Sequence, residues 1–204
     1  MEISFYNEFK RKGTHLLALC IPIAYFLLPK LASLLLLSPV VLGSIVVDVI
    51  RLRRLPLHGL LNRLLGPILR EHENADCAGS SYILLASFLS ILLFEKSVAV
   101  AAISFIILGD IAAALIGRRF GRTKWRWDPR RGSANSDRRK SLEGSLACLS
   151  VCVAVAVVVP HLPLWAGLPG ALLATTVEAL PIPIDDNFSV PLISGLVMHL
   201  LLHI

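Results

Sequence analysis

Carboxylates set among long apolar runs are the groups in this chain best placed to do chemistry. Asp110 follows Gly109 inside an apolar segment, Glu178 sits near the end of another, and Asp185-Asp186-Asn187 lies between Pro183 and Pro191. A carboxylate at bilayer depth costs about 2.5–3.5 kcal/mol on insertion scales, so such an acid is a functional candidate by default. At 1.5 Å per residue, Asp110 lies roughly 10 Å below the end of its apolar segment at Gly117, where an unpaired anion would not persist. Asp110, Ala114, Gly117 and Gly121 recur at i, i+4, i+7 and i+11. That stripe of one acid and three small residues allows a helix or a ligand to approach closely. Adjacent Asp185 and Asp186, with Asn187 and Glu178, supply hard oxygen ligands suited to Mg²⁺. A polar turn between two prolines is the plainer reading of the same residues.

The complementary cations precede the run Lys140-Ser141-Leu142-Glu143-Gly144-Ser145. A lysine, hydroxyls and the free amides of a helix start are the ingredients of a phosphate site. The segment leading into it, 118–141, holds ten Lys and Arg, including Arg118 and Arg122, against Asp128 and Asp137, with Trp125 and Trp127 interleaved. Anionic lipid headgroups, a polyphosphate and nucleic acid all fit such a loop. Nucleic acid is the weakest of these, because apolar segments tether the loop at both ends. Gly117-Arg-Arg-Phe-Gly121-Arg-Thr-Lys124 misses the Walker pattern in spacing and order, which disfavours an ATPase of that type.

Three further groups complete the polar inventory. Glu8, Arg11, Lys12 and His15 share one helical face, as a binding surface or as a salt-bridged turn with snorkelling cations. Asp48 and Arg51 form an i,i+3 pair, functional or merely a neutralised helix end. In Gly79-Ser80-Ser81-Tyr82, Ser80 and Ser81 could cap a helix start or receive a phosphate there. Cys20, Cys77, Cys148 and Cys152 form no CxxC and read as small buried or lipid-facing residues.

The elements that must position these groups are apolar. The chain has 204 residues, 55% hydrophobic and 17% charged, with a mean hydropathy of +0.73. Soluble domains run near 25% charged, so a soluble globular protein is disfavoured. The expected fold is all-α, a polytopic membrane helical bundle of about seven transmembrane helices in a single domain, 1–204. The segments are roughly 14–29, 31–50, 79–94, 97–117, 143–159, 164–182 and 188–204. The sixth, interrupted by Leu168-Pro169-Gly170, is the least regular. Several fall short of the ~20 residues of a straight span. With alternating spans, 18 of the 20 Lys and Arg fall on one side, and Lys30 and Lys96 on the other. The positive-inside rule makes the first side cytoplasmic, together with the N-terminus and 13 of the 14 acids. Met-Glu-Ile-Ser-Phe at the start has neither basic run nor cleavage site, so no removable signal peptide is expected.

In order and spacing, Glu8-x2-Arg11-Lys12-x2-His15, Asp48-x2-Arg51, Gly79-Ser80-Ser81-Tyr82, Gly109-Asp110-x2-Ala113-x3-Gly117-x3-Gly121, Lys140-Ser141-Leu142-Glu143-Gly144-Ser145 and Glu178-x6-Asp185-Asp186-Asn187-x3-Pro191 resemble the CTP-dependent lipid kinases. That family comprises dolichol kinase, phytol kinase and the CTP-dependent diacylglycerol kinase. The resemblance implies transfer of the γ-phosphate of CTP to the primary hydroxyl of a membrane lipid alcohol, with Mg²⁺. On that basis Lys140, Ser141 and Arg122 are expected to contact phosphate, beside Arg118, Gly144 and Ser145. Asp110 and Glu143 are expected at a metal or its water shell, and Asp185, Asp186 and Glu178 at a second metal or as general base. The middle elements are also similar to CTP:phosphatidate cytidylyltransferase, although the short chain ending in Asp-Asp-Asn favours the kinase. A non-catalytic transporter or scaffold is the reading from another class. Against it, the acids cluster at one face and the two halves show no repeat.

Overall fold

Residues 13, 15–65, 77–123, 140–180, 182 and 184–204 are described by a computed structural model. Glu8, Arg11, Lys12 and most of the basic loop, 124–139, lie outside them. The described residues form eight helices and no strand: α1 (Cys20–Leu27), α2 (Lys30–Leu52), α3 (His58–Leu65), α4 (Gly79–Leu93), α5 (Lys96–Phe120), α6 (Leu142–Val158), α7 (Leu164–Ala179) and α8 (Asp186–Leu202). Each of the seven apolar segments read from the sequence contains a helix, and α3 is an addition within the stretch 51–76. Helices α2 and α5 are long and apolar enough to cross a membrane; α4, α6 and α8 are apolar but shorter.

Proline sets several helix boundaries. Pro29 and Pro163 stand at the N-caps of α2 and α7 with extended backbone, where their missing N–H costs nothing. Pro39, Pro169 and Pro191 lie inside helices, and the Leu168-Pro169-Gly170 interruption does not break α7.

Helix α5 is the hub. Residues Val98–Ile107 are buried on all sides, because α1, α4, α6, α7 and α8 all pack against it. Small residues decide how closely α6 can lie. A Cβ on Gly144 would stand 2.8 Å from the Ala113 carbonyl oxygen and 3.2 Å from Gly117 Cα. The small-residue stripe on α5 is therefore filled by another helix, and Asp110 sits at its inner end. Outside the bundle the usual polarity is inverted. Leu35, Leu42, Leu93, Val157 and Leu172 are exposed, while Ser87, Ser90, Ser104, Thr175 and Ser194 are buried. Thr175 and Ser194 donate to the carbonyls of Ala171 and Val190, at 3.0 and 2.7 Å, within their own helices. Such a surface is one that a hydrocarbon surround accepts.

The bundle has two chemically different ends. At one, Lys30 Nζ donates to the Leu92 carbonyl at 2.8 Å and Lys96 Nζ to that of Leu28 at 2.9 Å. These are the two lysines that the charge pattern sets apart. The clusters around Asp48, Asp110 and Lys140 gather toward the other end of α5.

The α5–α6 contact should tolerate no added methyl. Gly144→Ala is expected to lower stability in detergent by about 1–3 kcal/mol, the range for overpacking a close contact. Gly43→Ala, with nothing within 4 Å of the added Cβ, should cause no loss. Thermal unfolding of the two variants side by side checks the difference.

Candidate functional site

Lys140 stands just before α6, whose N-cap Ser141 accepts the Gly144 amide through Oγ at 3.2 Å. From there its ammonium reaches the facing ends of α7 and α8. Lys140 Nζ lies 3.0 Å from Glu178 Oε1 and 3.4 Å from Asp186 Oδ2, and it also donates to the Glu178 carbonyl. Glu178 is 7% exposed at its side chain and Asp186 27%. Desolvation alone would lower the lysine pKa. The Glu178 and Asp186 carboxylates outweigh it, with a further contribution from Asp110, and hold the ammonium above the ordinary lysine range. Asp185 caps α8 by accepting the Asn187 amide through Oδ1 at 2.9 Å. The Asp-Asp pair is thus divided between fastening the turn and facing the lysine.

Asp110 is met from another direction. His15 Nδ1 lies 3.2 Å from Asp110 Oδ2, with the two side chains 10% and 14% exposed. The buried Asp48–Arg51 pair, 3.0 Å apart, closes the end of α2. Asp48 Oδ2 also accepts the Ala78 amide at 3.1 Å and so fastens the entrance of α4. In that entrance Gly79 and Ser81 are buried and Ser80 is exposed. The Tyr82 and Phe188 rings, edge to face at 6.3 Å, bring the starts of α4 and α8 side by side.

The base of the basic loop is zipped by backbone bonds. Glu143 Oε1 accepts the amides of Arg122 and Thr123 at 3.1 and 3.0 Å, and the Leu142 amide donates to the Thr123 carbonyl at 3.0 Å. The Glu143 carboxylate, expected at a metal or its water shell, holds the Arg122 and Thr123 backbone beside the start of α6. Gly121 and Gly117 complete the close contact, since a Cβ on either would press within 3 Å of Ser141 Oγ. Thr123 and Ala78 contribute through their backbones, for which side-chain type carries no signal. Asn187 is 1% exposed, and its Nδ2 has no hydrogen-bond partner among the described residues. The fold therefore brings His15, Asp110, Lys140, Glu178 and Asp186 into one connected cluster. Asp48, Arg51, Ser80 and Ser81 are tied to it through α4 and α8. The set can neutralise and orient a phosphate chain, hold a hard divalent cation on carboxylate oxygens, and accept a proton.

No family model matches the chain, and no solved structure matches it. Curated proteins do. It is 24% identical to CTP-dependent diacylglycerol kinase 1 of Schizosaccharomyces pombe over 172 residues, covering 76% of this chain and 74% of that one. It is 32% identical to the probable chloroplastic phytol kinase 1 of Glycine max over 158 residues, 69% of this chain and 49% of the other. An uncharacterized protein of Rickettsia prowazekii is 32% identical over 117 residues, 56% of this chain and 57% of its own length. The chain is a distant relative of these lipid kinases. It spans about half the length of the soybean and Rickettsia proteins.

Removing the lysine alone should leave Glu178 buried beside Asp186 without its counter-charge. Lys140→Met is expected to cost about 2 kcal/mol, less than the 3–5 of a fully buried broken pair because the lysine is partly solvated. Adding Glu178→Gln should restore most of that loss. A thermodynamic cycle of the two single variants and the double reads the coupling directly.

Proposed function

We propose that this chain is a CTP-dependent kinase that transfers the γ-phosphoryl group to the primary hydroxyl of a membrane lipid alcohol. It works at the cytoplasmic face of a multi-pass bundle of about seven spans. The observation that carries the reading is the convergence of Lys140, Glu178, Asp186 and the His15–Asp110 pair at one end of an apolar bundle. Distant kinship to diacylglycerol and phytol kinases supports it.

In this reading CTP arrives from the cytoplasm, and its phosphates meet Lys140, Ser141, Arg118, Arg122 and the amides around Gly144 and Ser145. The orphaned amide of Asn187 is a further donor for a phosphate oxygen. Asp110 and Glu178 present the hard oxygens that Mg²⁺ prefers, around a position that the fold already keeps for positive charge, so these residues fit the ion. When bound, Mg²⁺ neutralises charge on the phosphates. Glu143 serves the site by fixing the loop base, and Asp185 by fixing the turn that carries Asp186.

The alcohol keeps its hydroxyl at headgroup depth and enters laterally. An apolar cleft of about 130 Å³ between α1, α2 and α4 includes Tyr25, Leu37 and Ile91. It lies toward the Lys30 and Lys96 end, where Leu28 and Ser33 also line it, and offers room for the distal part of the tail. Asp186, the more exposed acid beside Lys140, accepts the hydroxyl proton. The alkoxide oxygen then forms a bond to the γ-phosphorus as the bond to the bridging oxygen breaks and CDP leaves. Such transfer is mostly positioning and charge stabilisation, the work this cluster is suited to.

Detergent-solubilised protein with γ-labelled CTP should label diacylglycerol, phytol or a polyprenol and release CDP. Asp186→Asn should lower kcat by about 100-fold or more. Asp110→Asn should abolish transfer in protein that still folds. Lys140→Ala should raise KM for CTP about tenfold, the loss of one charged contact. Formation of CDP-lipid with pyrophosphate would make the enzyme a cytidylyltransferase instead. No transfer to any of the three alcohols would overturn the kinase reading.

A further inference from the structure

We infer that the end of the bundle remote from Asp110 carries a second metal site, formed by Glu95, His199 and His203, for a divalent transition metal of the Zn²⁺ class. The three residues come from the α4–α5 turn and the last turn of α8, and one ligand atom from each lies within 4.8 Å of the others. Glu95 occupies the N-cap of α5, yet its carboxylate makes no capping bond to the helix amides. Here Oε1 lies 3.6 Å from His203 Nε2 instead.

The tautomer of His203 sharpens the point. Its Nδ1 lies 2.8 Å from the His199 carbonyl oxygen, which can only accept, so Nδ1 carries hydrogen. In the neutral ring Nε2 then presents a lone pair to a carboxylate oxygen. In that form two acceptors face each other, and a cation between them, a metal ion or a proton on Nε2, reconciles them. A backbone carbonyl on one ring nitrogen with the other aimed at a carboxylate is the arrangement that orients metal-ligating histidines.

His199, one turn earlier, is held in place by rings on both sides. Its centroid is 5.8 Å from Phe94 and 4.4 Å from His203, and its Nδ1 is buried with no hydrogen-bond partner among the described residues. Gly195 makes room for this, since a Cβ there would fall 2.4 Å from the Phe94 ring. Two imidazoles and one carboxylate with an open fourth position match Zn²⁺ better than Mg²⁺ or Ca²⁺. Tetrahedral ligands stand about 3.4 Å apart at ordinary Zn²⁺ bond lengths, so small side-chain rotations close the set. The His203 and Glu95 side chains are 55% and 53% exposed, which leaves the site open to solvent. A bound ion would clamp the end of α8 to the α4–α5 turn.

The test is Zn²⁺ titration by calorimetry of full-length, tag-free protein stripped with chelator, with Co²⁺ visible absorption as a second readout. About one equivalent should bind at this site, and His203→Ala or His199→Ala should weaken it by more than about tenfold. Glu95→Gln, at a half-exposed position, should weaken it too. Asp110→Asn should keep it, which separates this site from the carboxylates of the proposed kinase centre. Zn²⁺ should raise the unfolding midpoint of the unmodified protein and leave that of His203→Ala unchanged. Equal binding by all variants, absence of binding, or a His203–Glu95 contact that responds to protons but not to Zn²⁺ would overturn the proposal.

Discussion

A single ammonium group, that of Lys140, ties together the parts of this molecule that carry chemistry. It ends the basic loop, starts the approach to α6, and bridges to Glu178 on α7 and Asp186 on α8. Three helices are thereby referenced to one charge in an otherwise apolar bundle. Pairs of this kind are weak evidence for net stability, since their desolvation offsets much of the attraction. Lys140 meets both carboxylates at once, while the Asn187 amide donating to Asp185 fastens the turn that carries Asp186.

The ion cluster depends in turn on how closely α5 and α6 approach. Gly117, Gly121 and Gly144 leave room for Ser141 and the start of α6 to lie against α5. At the deeper end of the same contact, Gly109 stands where a Cβ would press on Cys148 Sγ at 2.8 Å. With larger residues at these positions α6 would stand off, and Lys140 would move away from Asp110 and Glu178. Close helix packing through small residues is thus the condition for the charge layer. In the proposed kinase it allows phosphate-binding cations and metal-binding oxygens to share one small volume.

The helices and the residue types of the site were legible in the sequence because both are local signals. Apolar run length marks helices, and an acid within such a run marks a position that must be compensated. Partners contributed from distant segments were not legible. His15 is unremarkable on its own helix and acquires meaning only opposite Asp110. The i,i+3 spacing of Asp48 and Arg51 forecast their ion pair, but not the Ala78 amide, 30 residues away, that Asp48 also holds. For Glu143, residue type pointed to a metal or its water shell, but not to the amides of Arg122 and Thr123 that its place in the first turn of α6 lets it accept. Glu95, His199 and His203 belong to segments a hundred residues apart, and nothing in either one points to the other.

In the proposed kinase, nucleotide lies at the end of the bundle where Lys140 is partly enclosed by acids, away from the two lysines that cap α1 and α4 at the other end. Amine footprinting by pulsed acylation and mass spectrometry, with and without CTP and Mg²⁺, tests that placement most directly. Nucleotide should slow modification of Lys140 and leave Lys30 and Lys96 unchanged. Equal rates at Lys140 with and without nucleotide, or protection at Lys30 and Lys96 instead, would contradict it.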